Sequence, residues 1–227
     1  MLNKLDHIAL ILDGNKRWAK KNNFNNSIGY KKGFDNIRNI VNYSLSKKIT
    51  YLTIFALSSE NYNRSSVNLI YEIIYDNFSK TFTDLIKEKG VKVNIFGSRI
   101  NIPKKILDIF ENIELNSLNN KNLILNIAFN YGFKDEVKYV LNKVLINKNK
   151  SITENQKKIK ELFYLGSQPD PDILIRTGGF KRLSNFIMYN LTYTELFFTE
   201  TYWPDFSEEE YNSIIDKYYK INRKYGL

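Results

Sequence analysis

Residues 7–18 read HIALILDGNKRW, and this stretch sets the fold class. His7–Leu12 is almost continuously apolar, the pattern of a strand covered on both faces, and such strands belong to parallel sheets with helices packed on each side. Tyr51–Leu57 repeats it, and Val91–Phe96, Leu123–Phe129 and Ile173–Arg176 read as further short strands. Helical patterns separate them at Tyr30–Leu45, Val67–Lys89, Lys104–Asn116, Asp135–Leu145 and Glu154–Phe163. Within the second of these, Val67, Ile70, Ile74, Phe78, Phe82 and Leu85 fall three or four apart on one face, a stripe that is core more often than ligand wall. Thr153 with Gln156, and Ser207 with Glu210, have capping-box spacing and start the last two helices. Strand–helix alternation predicts an α/β fold with a central, mostly parallel sheet flanked by helices.

The 227 residues suit one domain over residues 1–227, long enough to bury roughly 70% of the unfolded chain's surface without disulfide or metal support. No internal repeat or low-complexity linker divides the chain; Asn22–Ser27, Asn116–Asn122 and Asn147–Lys150 read as polar loops. The absence of cysteine excludes thiol nucleophiles, thiolate zinc sites and disulfides, and His7 as sole imidazole excludes histidine metal clusters and weakens any Ser-His-Asp arrangement. His7 itself reads as structural. A net charge of +10 points to nucleic acid, an anionic membrane surface or a phosphate-bearing substrate. Asp6 interrupts what a signal peptide would need, and no run approaches eighteen apolar residues, so the expected location is cytoplasmic.

In an open parallel sheet, ligands bind beyond the carboxyl ends of the strands. The first strand runs into Asp13-Gly14-Asn15-Lys16-Arg17-Trp18, where a carboxylate, a glycine permitting close backbone approach, helix-start amides and an arginine suit a diphosphate with Mg²⁺. The competing reading has Asp13 capping the next helix with Arg17 solvated. A phosphotransfer enzyme with a nucleophilic Asp is a third, although Asn15 stands where a second Asp is usual. Asp13→Ala would then abolish activity and leave the thermal transition within a few degrees. The second strand ends in Ser58-Ser59-Glu60-Asn61-Tyr62-Asn63-Arg64, a set suited to phosphate or proton handling; the alternative, a polar loop with Ser65 or Ser66 capping the next helix, leaves Glu60, Asn61 and Arg64 unexplained. Arg176-Thr177-Gly178-Gly179 with Arg182 and Ser184 could fork onto a diphosphate. Glu195, inside Tyr193–Phe198, is a carboxylate in an aromatic stretch, which reads as a metal ligand or as an ion pair with one of the arginines.

These segments, with Asn126-x-Ala128-x-Asn130-Tyr131-Gly132 and Glu195-Leu196-x-Phe198-Thr199 ending in Trp203-Pro204-Asp205-Phe206, strongly resemble the cis-prenyltransferases, and specifically the bacterial undecaprenyl diphosphate synthases, from His7 to Gly226. The resemblance implies Mg²⁺-dependent addition of isopentenyl diphosphate units to an allylic primer such as farnesyl diphosphate, each new double bond being cis, to give a long polyprenyl diphosphate, the undecaprenyl carrier lipid of the cell wall. It further implies a homodimer of α/β subunits, each with a hydrophobic tunnel for the prenyl chain. The product passes to the membrane, at whose inner face a cytoplasmic enzyme would sit peripherally, and no nucleic acid is a partner. By the resemblance Asp13 and Asn61 are catalytic, Asn61 assisting proton removal. Asp13 and Glu195 hold Mg²⁺. Gly14, Asn15, Lys16, Arg17 and Trp18, with Asn26 and Tyr30, lie at the allylic diphosphate; Ser58, Ser59, Glu60, Tyr62 and Arg64 surround the condensation centre; Arg176, Arg182 and Ser184 bind isopentenyl diphosphate.

This chain departs from the family pattern at several of these positions. Asn26 and Tyr30 replace an arginine and a histidine, Lys16 fills a slot often held by glycine, Tyr62 replaces a tryptophan, Phe133-Lys134 replaces Gly-Arg, and Phe180 takes a place that is often glutamate. The neutral Asn26 and Tyr30 leave open a second reading, a non-catalytic prenyl-diphosphate-binding subunit of the same fold. A third, nucleic-acid binding through the +10 charge, has no recognisable motif behind it.

Overall fold

The computed structural model describes residues 4–62, 66–147 and 155–223. The elements are β1 (His7–Ile11), α1 (Asn15–Lys21), α2 (Asn26–Ser46), β2 (Tyr51–Ser58), α3 (Ser66–Ile73), α4 (Ser79–Lys87), β3 (Val91–Phe96), α5 (Lys104–Ser117), β4 (Leu123–Tyr131), α6 (Phe133–Asn147), α7 (Gln156–Lys160), β5 (Ile173–Arg176), β6 (Glu195–Phe198) and α8 (Glu208–Tyr219). The strands form one six-stranded sheet in the order β3-β4-β2-β1-β5-β6, and every pairing is parallel.

All five strands expected from the sequence are present. β1 shows why its apolar run is continuous: Ile8 and Leu10 join the larger core on one face, while Ala9 and Ile11 join an aromatic-rich core with Phe55, Phe96, Tyr131 and Phe186 on the other. The sixth strand, β6, gives no strand signal in the sequence. It is four half-buried edge residues paired to β5 only, too short for alternation to show. α2 begins at Asn26, four residues before its apolar pattern, because the Asn25 side chain accepts from Ile28 N at 3.1 Å and caps it.

The long pattern Val67–Lys89 is not one helix. A π-helical turn, Ile74–Phe78, separates α3 from α4. Wider winding turns Ile73 and Ile74 to the same apolar space as Ile70, so part of the expected core stripe is cavity wall. The Ser207–Glu210 cap forms, with Glu210 N donating to Ser207 Oγ at 3.3 Å. The other expected cap, Thr153, lies outside the described residues, and the Asn155 side chain caps α7.

α2 is fastened at the site end of the sheet. Asn36 Nδ2 donates to the carbonyls of Trp203 and Phe206 at 2.8 and 3.1 Å, and Trp203 Nε1 donates to Gly33 O at 2.7 Å. The chain leaves β1 towards β2 and leaves β5 towards β6, on opposite sides, so the strand order reverses between β1 and β5. Ligand crevices of such sheets open at that reversal.

Candidate active site

The loops after β1 and β5 are locked together by one threonine. Thr177 Oγ1 accepts from Asp13 N at 3.0 Å and donates to Asp13 O at 2.8 Å, and Trp203 N donates to the same carbonyl at 3.0 Å. Gly14 has φ +115°, and a Cβ there would lie 2.9 Å from the Tyr202 side chain, so only glycine fits the turn into α1. Gly178, at φ +84°, passes so close that a Cβ would lie 2.7 Å from the Arg17 guanidinium and 3.0 Å from the Asp13 backbone.

Asp13 is not a helix cap; Gly14 holds that position and makes no side-chain cap bond. The carboxylate is instead forked between two guanidiniums, Oδ1 to Arg17 at 3.0 Å and Oδ2 to Arg176 at 2.9 Å. Arg176 is only 4% exposed and Asp13 29%. The second Arg176 amino group donates to Ser184 Oγ at 2.8 Å and to the Arg182 carbonyl, and Arg182 Nε donates to the same Ser184 oxygen at 3.3 Å.

Around this cluster opens a cleft of about 490 Å³ lined by Asp13, Gly14, Asn15, Lys16, Arg17, Tyr30, Ser58, Glu60, Asn61, Arg176, Phe180, Arg182 and Ser184. Its charged lining is four cations against Asp13 and Glu60. Leu12, Asn15, Tyr30, Ala56 and Ile70 line both this cleft and an apolar cavity of about 80 Å³ walled by Ile37, Ile54, Ile73, Ile74, Phe110, Ile127, Phe129 and Trp203. A cationic cleft thus continues into a hydrocarbon-lined space beneath α2 and α3.

The profile of the family described as "Putative undecaprenyl diphosphate synthase" matches residues 11–226. The isoprenyl transferase of Aquifex pyrophilus is 39% identical over 223 residues, 97% of this chain and 95% of that one. The ditrans,polycis-undecaprenyl-diphosphate synthase ((2E,6E)-farnesyl-diphosphate specific) of Legionella pneumophila is 34% identical over 226 residues, covering 97% and 94%. The chain belongs to this family of cis-prenyltransferases. Among solved structures, lavandulyl diphosphate synthase from Lavandula x intermedia, in complex with dimethylallyl diphosphate, superposes with a TM-score of 0.93 at 27% identity, covering 98% of both chains.

Not every residue expected at the site of this cis-prenyltransferase lines the cleft. Trp18 is buried, donating from Nε1 to Asp205 Oδ1 at 2.6 Å and stacking on Phe24; it anchors α1. Ser59 donates to Asp135 Oδ2 at 2.7 Å, which turns it away from the lining. Tyr62 donates to the Asn101 carbonyl and accepts from Tyr71, tying the β2 end to the loop before α5. Asn26 is exposed at the start of α2, one turn before Tyr30, and does not line the cleft. Arg64 lies outside the described residues.

Glu195 opens β6 opposite Ile173, whereas Arg176 pairs with Phe198 at the other end of the strand. That places Glu195 about 10 Å along the sheet from the cluster, at ~3.3 Å per residue. Its oxygen lies 3.8 Å from Arg223 Nε, so within one chain Glu195 takes the ion-pair reading and is not brought to Asp13. Conversely, sequence reasoning misses Thr177 as the lock, Phe180 as cleft lining, and Leu12, Ala56 and Ile70 at the neck of the cavity. Apolar residues at a cavity neck carry no sequence signal that separates them from core.

His7 is fully buried at the opposite end of β1 from Asp13. Nδ1–H donates to Pro169 O and Nε2 accepts from Thr53 Oγ1, both at 2.7 Å, and burial pushes its pKa down to about 4. It is a neutral structural imidazole.

Proposed function

We propose that this cis-prenyltransferase condenses isopentenyl diphosphate with an allylic diphosphate primer, farnesyl diphosphate, building a long polyprenyl diphosphate of the undecaprenyl class that serves as cell-wall carrier lipid. The observation that carries this is the two-part cavity: a cleft with Lys16, Arg17, Arg176 and Arg182 for diphosphate, opening between Tyr30, Ala56 and Ile70 into an apolar pocket for a hydrocarbon tail. The relative from Legionella named as specific for farnesyl diphosphate supports that primer. The pocket's ~80 Å³ is well below the ~300–1,000 Å³ of filled ligand sites, so α2 and the π turn must give way as a tail enters.

The guanidiniums bind and orient the two diphosphates, Arg17 with Lys16 on the allylic side and Arg176 with Arg182 and Ser184 on the isopentenyl side. Arg176 Nε is buried without a partner, a donor whose desolvation is offset when an anion takes it. As the allylic diphosphate departs and a carbon–carbon bond forms, the isopentenyl unit loses a proton, and Asn61 with Ser58 and Glu60 lines the cleft where that proton would leave. The donor set fits Mg²⁺: among the described residues there is no cluster of three metal-ligating side chains, and a single carboxylate, Asp13, faces a diphosphate cleft, the pattern of an ion held by one carboxylate and substrate phosphates. Bound there, Mg²⁺ would neutralise charge on the diphosphates.

A cytoplasmic homodimer that delivers product to the inner face of the membrane belongs to the same proposal. Exposed Tyr139, Leu141, Leu145 and Ile146 on α6 offer apolar surface for a second subunit, and no helix among the described residues is long and apolar enough to cross a membrane. Incubating purified protein with labelled isopentenyl diphosphate, farnesyl diphosphate and Mg²⁺ and sizing the product tests the reading. A ladder ending near eleven isoprene units is expected. Binding of both substrates without elongation would favour the non-catalytic subunit instead.

A further inference from the structure

Phe180 is an exposed aromatic residue in a cleft of charges. Its ring lies 4.2 Å from the Arg182 guanidinium carbon, 4.6 Å from that of Arg17 and 5.8 Å from that of Arg176. We propose that Phe180 is a positioning residue of the anion cleft, its ring holding these guanidiniums on the wall as a preorganised diphosphate clamp. The proposal rests on the diphosphate reading of the cleft given above.

The scaffold under the ring is rigid. Gly178 N and Gly179 N donate to the carbonyls of Thr201 and Thr199, each at 2.8 Å, so the backbone entering Phe180 is fixed to the chain after β6. The ring is 41% exposed, so it buries too little area to be a core residue. What it touches is cationic. Aromatic faces attract guanidinium through their quadrupole, and the planar arginine head stacks on them.

Arg182 makes the argument sharpest. It is exposed, makes no ion pair among the described residues, and its side chain is otherwise tethered only by Nε donating to Ser184 Oγ at 3.3 Å. A free arginine of that kind loses rotamer freedom on binding an anion, and a residue that restrains it beforehand removes part of that cost. A carboxylate could restrain it too, but would neutralise the charge the anion needs. The ring restrains without neutralising.

The experiment is calorimetric titration of the full-length protein with inorganic pyrophosphate at low salt, comparing wild type with Phe180→Leu, Phe180→Trp and Phe180→Glu, and recording thermal transitions of each. Leucine keeps apolar bulk without the quadrupole and should raise Kd about 5- to 20-fold, the scale of one or two cation–aromatic contacts. Tryptophan should stay within about two-fold of wild type. Glutamate should weaken binding more than leucine. Wild-type affinity in Phe180→Leu, or tighter binding in Phe180→Glu, would overturn the role of the ring while leaving the cleft a diphosphate site. Failure of wild type itself to bind pyrophosphate would overturn the diphosphate reading on which the proposal stands.

Discussion

Replacing Asp13 with alanine removes a carboxylate and strands a buried guanidinium. Sequence alone gives Asp13 no core contact and predicts an intact thermal transition, but Arg176 is 4% exposed and Asp13 is its one counter-ion among the described residues. Breaking a buried pair from one side costs ~3–5 kcal/mol. The figure here is lower, because Asp13 is 29% exposed and Arg176 keeps Ser184 Oγ at 2.8 Å and the Arg182 carbonyl. About 2–3 kcal/mol remains, which for a chain of this size is a fall of ~4–12 °C in Tm. Asp13→Ala combined with Arg176→Met removes both charges and fills the space with an apolar chain of similar length, so it should recover most of that loss. The double-mutant cycle then shows a coupling energy of ~1–2 kcal/mol. Calorimetric scans and urea titrations of the four proteins measure the stability side, and the labelled condensation assay measures activity, which should fall below a few per cent whenever Asp13 is absent. A Tm within 2 °C of wild type for Asp13→Ala, or simple additivity in the cycle, would refute the claim that this carboxylate supports the buried arginine.

Arg176→Ala and Arg182→Ala should each raise the Michaelis constant for isopentenyl diphosphate about ten- to a hundred-fold while moving that of the primer much less, since each removes a charge-assisted contact of ~1.5–3 kcal/mol. Only Arg176→Ala should also lower Tm by several degrees; equal thermal effects would contradict their different burial. His7, with its folded pKa lowered to about 4 against ~6.5 unfolded, contributes stability that is complete above pH 6.5 and declines as pH falls from there towards 4. Unfolding free energy should therefore drop by about 2 kcal/mol between pH 7 and 5, and His7→Gln, which removes the chain's only imidazole, should flatten that slope; an unchanged slope would assign it elsewhere. Ala56→Leu, at the neck between cleft and apolar cavity, should raise the primer's Michaelis constant and shorten the product with little effect on isopentenyl diphosphate, as read by sizing labelled product; full-length product would place the tail elsewhere.

The fold was legible wherever one local pattern met one structural demand. β1 had to be apolar on both faces because both faces are covered, and its sequence says so without ambiguity. Val91–Phe96 and Ile173–Arg176 were readable to the residue for the same reason. β6 was not, since four half-buried edge residues answer to a single neighbouring strand. The π turn was equally hidden: periodicity sees spacings of three and four, and a local widening at Ile74–Phe78 leaves every flanking residue apolar.

The site divides along a different line. Residues that act through position immediately after a strand, such as Asp13, Ser58, Glu60, Asn61 and Arg176, are found by looking at the carboxyl end of each β-run, because topology delivers all strand ends to one crevice. Glu195 shows the limit of that rule. Its aromatic surroundings signalled a constrained carboxylate, yet it stands at the beginning of its strand, where the sheet turns it to Arg223 and away from Asp13. Which end of a strand a residue occupies decides its company, and β6 had to be seen before that could be known. The charge balance was hidden for a related reason. Composition counts +10 over the chain, but only the folded cleft shows that Asp13 engages two of its arginines while Arg182 is left to an aromatic ring and a serine. An incoming diphosphate therefore meets one cation already free of any carboxylate and two that it must share with Asp13, so the exposed arginine is the natural first contact and the buried one the final grip.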